Sequence, residues 1–156
     1  MCTNETIPDF SLMYSWLEWS NFLTLYINKS VLFSEIKLDT DLQDVAVRVS
    51  AKKTLTVCNI YLPPSLEVNF SDLEHLIEQL PAPFVLVGDL NAHSPLWGDV
   101  RQDSRGQMVE KLLNDYNLCL LNTGEPTYRR QSSLLFCSWC IYLWSISCTR
   151  IWLANP

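Results

Sequence analysis

The chain has 156 residues, 48% of them hydrophobic, and a net charge of −6. This length and composition predict one domain with its own core and leave little room for a second. The acidic balance argues against a protein that holds nucleic acid through overall positive charge, but not against an enzyme that contacts phosphates through a metal and a local patch. The six cysteines lack the spacing of a disulfide scaffold. A signal peptide is not predicted, because the N-terminal residues do not include the basic stretch that begins such a peptide.

Residues 1–25 predict a divergent N-terminal segment, because their apolar side chains follow no consistent period. Trp16, Trp19 and Phe22 share the spacing of a helical stripe, but no capping residue frames them. Regular elements are expected from Tyr26 onward.

Three β-strands are predicted next. Residues 30–36 form the first, and residues 44–49 form the second, with valines alternating on one face. Thr54–Tyr61 is rich in β-branched residues and ends before two prolines, which no central strand tolerates. The short polar stretch 50–53 between the last two strands predicts a hairpin in an antiparallel or mixed sheet.

Two helices follow, separated by a strand. Ser71 and Glu74 predict a capping box for the first helix, and Ser104 with Gln107 predicts a similar one for the second. The apolar run 84–87 between the helices predicts a short buried strand. Each helix has an apolar stripe that is expected to pack on the sheet, namely Leu73, Leu76, Ile77 and Leu80 in the first and Met108, Leu112, Leu113 and Tyr116 in the second.

Residues 118–121 predict another short buried strand after the second helix. The order of strand, helix, strand, helix and strand predicts a layered α/β sandwich. In open α/β sheets the groups that bind ligands gather at the carboxyl ends of the strands. A binding or catalytic site is therefore expected at the carboxyl end of the strand 84–87.

Asp89 and Asn91 follow Gly88, where this strand is predicted to stop and a loop to begin. Asp89 can take a proton or hold a water, and Asn91 both donates and accepts hydrogen bonds. With one residue between them, both side chains can converge on the same ligand atom. The alternative is a plain turn, in which Asp and Asn side chains bond their own backbone.

Residues 26–130 resemble the endonuclease/exonuclease/phosphatase superfamily, and within it the endonuclease domain of jockey-type non-LTR retrotransposons. The resemblance rests on several short motifs that occur in the family's order and cover about two thirds of the chain. These are TVCNIYLPPS at 56–65, VGDLNAH at 87–93 with WG at 97–98, RG at 105–106 opening a helix that runs to NL at 117–118, LN at 121–122 and PTYRR at 126–130.

The resemblance implies a four-layer α/β sandwich and metal-assisted hydrolysis of a DNA phosphodiester, with Mg²⁺ or Mn²⁺ as cofactor and the nucleus as the expected location. It implies that Asp89 orients or deprotonates the attacking water and, with Asn91, is a metal ligand. Asn91 also matches the amide that contacts the scissile phosphate, and Tyr61 a tyrosine near that phosphate. Pro64 stands where some of these nucleases have an asparagine. His93 matches a family position as a catalytic residue, with a role in shaping the loop as the alternative.

Two parts of the family pattern are missing. The early metal-binding glutamate of a Gln-Glu-Thr string is not found, because residues 4–6 (NET) follow no predicted strand. The late Ser-x-Ile-Asp strand and catalytic histidine are also missing, since no aspartate or histidine follows Asp115. The interpretation is a degenerate fragment whose sandwich is incomplete at both ends and whose activity is impaired or lost.

Residues 131–156 predict a divergent apolar tail, with three tryptophans, three cysteines and no acidic residue. A buried strand pair, a membrane segment and a stretch not shaped by selection for folding are the alternatives, and the last is favoured. Cys137 and Cys140 have the C-x-x-C spacing of half a zinc site, but ordinary apolar cysteines are favoured because no second pair or histidine lies nearby. Membrane association of the tail is not expected.

The functions that remain are thus a nuclease domain, active or vestigial, a non-catalytic binding remnant of the same fold, and a phosphatase of the same superfamily. A small membrane-associated protein is a further alternative that rests only on the apolar tail.

Overall fold

The computed structural model describes residues 10–15, 23–122 and 143–145, and for the first and last of these ranges the backbone alone. Within them the chain forms two β-sheets and two α-helices. The strands are β1 Phe10–Ser15, β2 Leu23–Asn28, β3 Leu32–Ile36, β4 Gln43–Ser50, β5 Thr54–Tyr61, β6 Phe84–Asp89, β7 Leu118–Leu120 and β8 Leu143–Ser145, and the helices are α1 Phe70–Gln79 and α2 Ser104–Asp115.

The larger sheet has six described strands in the order β3-β4-β5-β6-β8-β7. Strands β3, β4 and β5 form an antiparallel meander, and β5 pairs with β6 in parallel. A parallel pair needs a crossover connection, and α1 supplies it here. The carboxyl ends of β5 and β6 therefore lie side by side at one edge of the sheet.

The two faces of the larger sheet are covered differently. Cys58 and Ile60 point to the face that packs on the helices and are fully buried. Asn59 points to the other face, where its Nδ2 donates to the carbonyl oxygen of Thr24 in β2 at 3.2 Å. The two-stranded ladder of β1 and β2 thus packs on that face, and the described residues form three layers.

One continuous apolar core lies between the sheet and the helices. The stripe of α1 contributes Leu73, Leu76 and Ile77, and α2 contributes Val109, Leu112 and Leu113. Trp97, in a 3-10 turn at Pro95–Trp97, is fully buried in the same cluster and donates from Nε1 to the carbonyl oxygen of Ala92 at 3.1 Å. The core therefore anchors the segment that follows β6 as well as the regular elements.

Both predicted helix caps are wrong by one or two residues. α1 is capped by Asn69, whose backbone N–H donates to Asp72 Oδ2 at 2.8 Å, rather than by Ser71. α2 is capped by Asp103, whose Oδ1 accepts from the Gly106 N–H at 2.6 Å, rather than by Ser104. Asn, Asp and Ser cap helices about equally well, so a run of such residues does not define the boundary by itself.

Several strand boundaries also differ from the prediction. β3 begins at Leu32, because Ser30 lies in a turn where its N–H donates to Asn28 Oδ1 at 2.9 Å. β6 continues through Gly88 to Asp89 rather than stopping at residue 87. The strands β1, β2 and β8 were not predicted, since the sequence prediction places regular elements only from residue 26 onward and its first strand at residues 30–36, and β8 has only three residues.

Strand β8 lies within the apolar tail and pairs with both β6 and β7. The C-x-x-C motif predicted in the tail falls outside the described residues, as do Trp16, Trp19 and Phe22. In the part of the chain that the structure describes, no helix is long and apolar enough to cross a membrane.

Candidate active site at the carboxyl end of β6

Asp89 and Tyr61 occupy matching positions at the ends of two adjacent parallel strands. Residues in register on neighbouring strands are about 4.8 Å apart and point to the same face. Gln43 at the start of β4 pairs with Tyr61 on its other side. The three side chains thus form a row across the sheet, on the face opposite the helices.

Gly88 allows the two strands to approach closely at this edge. Its φ is +141°, and a Cβ at this position would come within 1.8 Å of the carbonyl oxygen of Ile60. No other residue fits without moving one of the strands. The glycine of the Gly-Asp-x-Asn string therefore serves the geometry that brings Asp89 beside Tyr61.

The Asp89 carboxyl group is partly buried. Burial raises its pKa above the ordinary aspartate value, against the hydrogen bond from the Asn91 N–H and the positive charges of Arg105 and His93. Its Oδ1 accepts from Asn91 N at 3.0 Å. A carboxylate with a raised pKa is a better proton acceptor near neutral pH than an exposed one.

Asn91 adopts a left-handed conformation, with φ of +47°. Its Nδ2 donates at 3.0 Å to the carbonyl oxygen of Leu62, the residue that follows Tyr61. The bond from Asn91 N to Asp89 is the local turn that the sequence offered as the alternative to a site. The turn and the site use the same residues, because the turn is what directs both side chains toward the strand end.

His93 is held by two aspartates. Its Nδ1 lies 2.7 Å from Asp99 Oδ2, and its backbone N–H donates to Asp103 Oδ1 at 3.1 Å. The side chain of Asp99 is 2% exposed, and this burial by itself raises the pKa of its carboxyl group. Hydrogen bonds from the His93 ring and from the backbone of Arg101 and Val100 outweigh burial, so the pKa of Asp99 lies below its ordinary value. The ring is thereby fixed relative to the loop between β6 and α2.

Arg105 was predicted only as the opening of a helix, yet its guanidinium binds the backbone segments that follow β5 and β6. It donates to the carbonyl oxygens of Leu62, Pro63, Leu66 and Leu90 at 2.6–3.2 Å. Gln43 was also missed. Strand register connects Gln43 with the site, and hydrogen bonds to Leu62 and Leu90 connect Arg105 with it; a single sequence gives neither.

A cleft of about 690 Å³ opens beside the loop, between the segment after β5 and the start of α2. Asn91 and His93 line this cleft together with Arg105, whereas Asp89 and Tyr61 do not. The structure therefore brings the four predicted residues to one edge of the sheet but divides them between two neighbouring surfaces.

The described residues supply only part of a Mg²⁺ site. Mg²⁺ takes oxygen ligands in near-octahedral geometry and is usually held by one or two carboxylates. Within residues 23–122, no group of three or more His, Cys, Asp or Glu side chains is placed to hold a metal ion. Of the two predicted ligands, Asp89 offers one carboxylate, and Asn91 offers its amide oxygen Oδ1, since only its Nδ2 is used by Leu62.

Comparison with known proteins identifies the family. Residues 55–139, more than half of the chain, match the Exo_endo_phos_2 model, described as endonuclease-reverse transcriptase. The chain belongs to this family. Its fold matches the solved endonuclease domain of TRAS1, a telomere-specific non-LTR retrotransposon, with a TM-score of 0.74 and 18% identity over 89% of this chain and 66% of that one. The family and the fold class predicted from the sequence are confirmed.

Curated relatives include the RNA-directed DNA polymerases of the mobile element jockey. The chain is 34% identical over 82 residues to the protein of Drosophila melanogaster and 29% identical over 86 residues to that of Drosophila funebris. The matches cover 53% and 55% of this chain. The chain spans only about 9% of the length of either relative.

Proposed function

We propose that this chain is a DNA-binding endonuclease domain of a non-LTR retrotransposon whose own cleavage rate is strongly impaired. Asp89 orients the attacking water, and Asn91 and Tyr61 contact the scissile phosphate. The observation that carries the proposal is the register that sets Asp89 beside Tyr61 at the end of two parallel strands. The family match to residues 55–139 includes both Tyr61 and Asp89.

Asp89 has the chemistry that this role needs. Its partly buried carboxyl group has a raised pKa, which favours transfer of a proton from water to the carboxylate. One oxygen is fixed by the Asn91 N–H, so the side chain is held in one orientation. A fixed carboxylate can align a water for attack without having to lose conformational freedom during the reaction.

Asn91 and Tyr61 supply neutral donors. One N–H of the Asn91 amide is used by Leu62, and the amide has a second N–H that can donate to a phosphate oxygen. The phenol of Tyr61 is a further donor from the adjacent strand. Neutral donors stabilise charge that develops on a phosphate in the transition state.

His93 is assigned a structural role within this proposal. Its ring is held by the buried Asp99, and its backbone is held by Asp103 at the start of α2. These contacts fix the loop that carries Asn91. The observation favours the loop-shaping interpretation over direct participation in proton transfer.

Impaired cleavage follows from the groups that the family pattern requires and this sequence lacks. After the PTYRR motif, where the resemblance implies a Ser-x-Ile-Asp strand, Ser132 and Ser133 are followed by the apolar run 134–136 and by no aspartate. Loss of one member of such a catalytic set typically removes orders of magnitude of rate.

The binding part of the proposal is tested with a short fluorescent DNA duplex in EDTA, measured by anisotropy. The Asn91→Ala variant is expected to bind about tenfold more weakly, because a hydrogen bond to a charged group contributes about 1.5 kcal/mol. Asn114→Ala is the matched control, since Asn114 is exposed at the opposite end of α2. Affinity should fall with added salt, as phosphate contacts do.

Equal affinities of the unaltered chain, Asn91→Ala and Asn114→Ala would contradict the assignment of Asn91. No saturable binding by the folded, unaltered chain would contradict the proposed function as a whole.

A further inference from the structure

Arg105 makes an unusual set of contacts for a side chain in the first turn of a helix. Its Nη1 donates to the carbonyl oxygens of Leu62, Pro63 and Leu90, each at 3.2 Å. Its Nη2 donates to Pro63 at 3.2 Å and to Leu66 at 2.6 Å. One guanidinium therefore satisfies four main-chain oxygens from two different segments.

These two segments are the ones that follow Tyr61 and Asp89. Leu62 is the first residue after β5, and its N–H donates to the Asp89 carbonyl oxygen at 2.9 Å. Its own carbonyl oxygen accepts from both Asn91 Nδ2 and Arg105 Nη1. Leu90, between Asp89 and Asn91, is fully buried, and its carbonyl oxygen accepts from the same Nη1.

We propose that Arg105 is a positioning residue of the site, which sets the Asn91 amide through their shared acceptor, Leu62, and fixes the turn at Leu90. The inference rests on the proposed role of Asn91 in binding phosphate. Among the described residues, the guanidinium of Arg105 binds main-chain oxygens rather than the side chains of Asp89 and Tyr61, and in this role it does not contact the DNA. It acts by holding the two strand ends in one geometry.

The chemistry of the side chain supports this role. A guanidinium is planar, always charged, and presents five N–H donors in a rigid fork, whereas a lysine ammonium is a compact point charge. A lysine at this position retains the charge but cannot reach carbonyl oxygens in both segments at once. The carbonyl oxygen of the buried Leu90 would then lose its guanidinium donor, and that of Leu62 would keep only Asn91 Nδ2.

Arg48 provides a matched control. Its guanidinium also binds main-chain oxygens, those of Pro81, Ala82 and Pro83, at 2.6–3.4 Å. These residues precede β6, so Arg48 lies at the opposite end of the strands from Asp89. Arg48→Lys therefore removes a comparable set of bonds without touching the site.

The test compares the Asn91 side-chain amide resonances of the folded unaltered chain, Arg105→Lys and Arg48→Lys by NMR. The Asn91 Nδ2 proton bound to Leu62 is expected to shift and to exchange faster in Arg105→Lys, and to stay unchanged in Arg48→Lys. In parallel, Arg105→Lys should lose about as much DNA affinity as Asn91→Ala. A general loss of stability would lower the melting temperature of both lysine variants without this difference.

Identical Asn91 resonances in both lysine variants would overturn the inference. If Arg105→Lys does not fold, the isotope-labelled unaltered chain is measured instead. Slowly exchanging Arg105 Nη protons that couple to the carbonyl carbons of Leu62 and Leu90 would support the inference. The absence of these couplings would overturn it. The NMR result does not depend on DNA. A changed Asn91 amide in a chain that binds no DNA would therefore reject the proposed function and keep the positioning role.

Discussion

At the scale of single residues, the burial that makes the Asp89 carboxylate a better proton acceptor also makes its ionised form less stable in the folded chain. Its pKa is raised by burial, so the ionised form is less favourable in the folded chain than in water. Asp99 has the opposite character, because hydrogen bonds from His93 and from nearby N–H groups favour its ionised form. The two aspartates lie on the same loop region, and their environments push their pKa values apart.

The contribution of Asp99 to stability is expected to depend on pH. Because its folded pKa lies below that of the unfolded chain, the stabilisation is present above the ordinary aspartate pKa and is lost as the pH falls through the folded value. Asp99→Asn should lower the free energy of unfolding at pH 7 by about 1–3 kcal/mol, as expected for a buried charge-assisted hydrogen bond.

Urea unfolding of the two proteins at pH 7 and in steps toward about pH 3 measures this difference, which should shrink below about pH 4. A difference that is constant over the whole range would show that the ionisation of Asp99 does not contribute.

At the scale of elements, the start of α2 is fitted against the loop that carries the site. Gly106 lies in the first turn of α2, and a Cβ there would come within 1.9 Å of the His93 carbonyl oxygen. Asp103 caps the same turn and also binds the His93 N–H. The helix and the loop thus meet with no room for a side chain.

Gly106→Ala is expected to destabilise the protein. Replacing a helical glycine with alanine normally stabilises a helix by about 1 kcal/mol. Here the close approach to His93 should reverse the sign and cost about 1–3 kcal/mol, the usual range for overpacking. Thermal unfolding of Gly106→Ala and of Gln107→Ala, an exposed control in the same helix, would measure this. A higher melting temperature for Gly106→Ala would mean that the helix and loop can move apart freely.

At the scale of the whole molecule, the sequence predicts the elements that have a clear period. The alternating valines of β4 and the apolar stripe of α1 lead to the correct hairpin and helix. The strand β8 has only three residues, too few for such a pattern, and its pairing with the distant β6 decides its conformation. The strand β2 alternates at Leu23, Leu25 and Ile27 but begins within the segment 1–25 that was interpreted as divergent. Cap positions were missed where Asn69 and Asp103 compete with neighbouring serines.

The site was predictable only in part, for a related reason. Asp89 and Asn91 follow one another closely, so a short motif is enough to single them out. The contact of Arg105 with Leu62 spans 43 residues, and the pairing of Gln43 with Tyr61 depends on strand register. Such relations arise from tertiary structure and leave no local signal in one sequence.

Impaired cleavage can be measured as nicking of supercoiled plasmid by the folded, purified chain with Mg²⁺. Asp89→Asn and an excess of EDTA serve as the two controls. We predict that the chain binds DNA but nicks it no faster than Asp89→Asn. Nicking well above that background, abolished both by Asp89→Asn and by EDTA, would contradict the account and establish the chain as a competent nuclease.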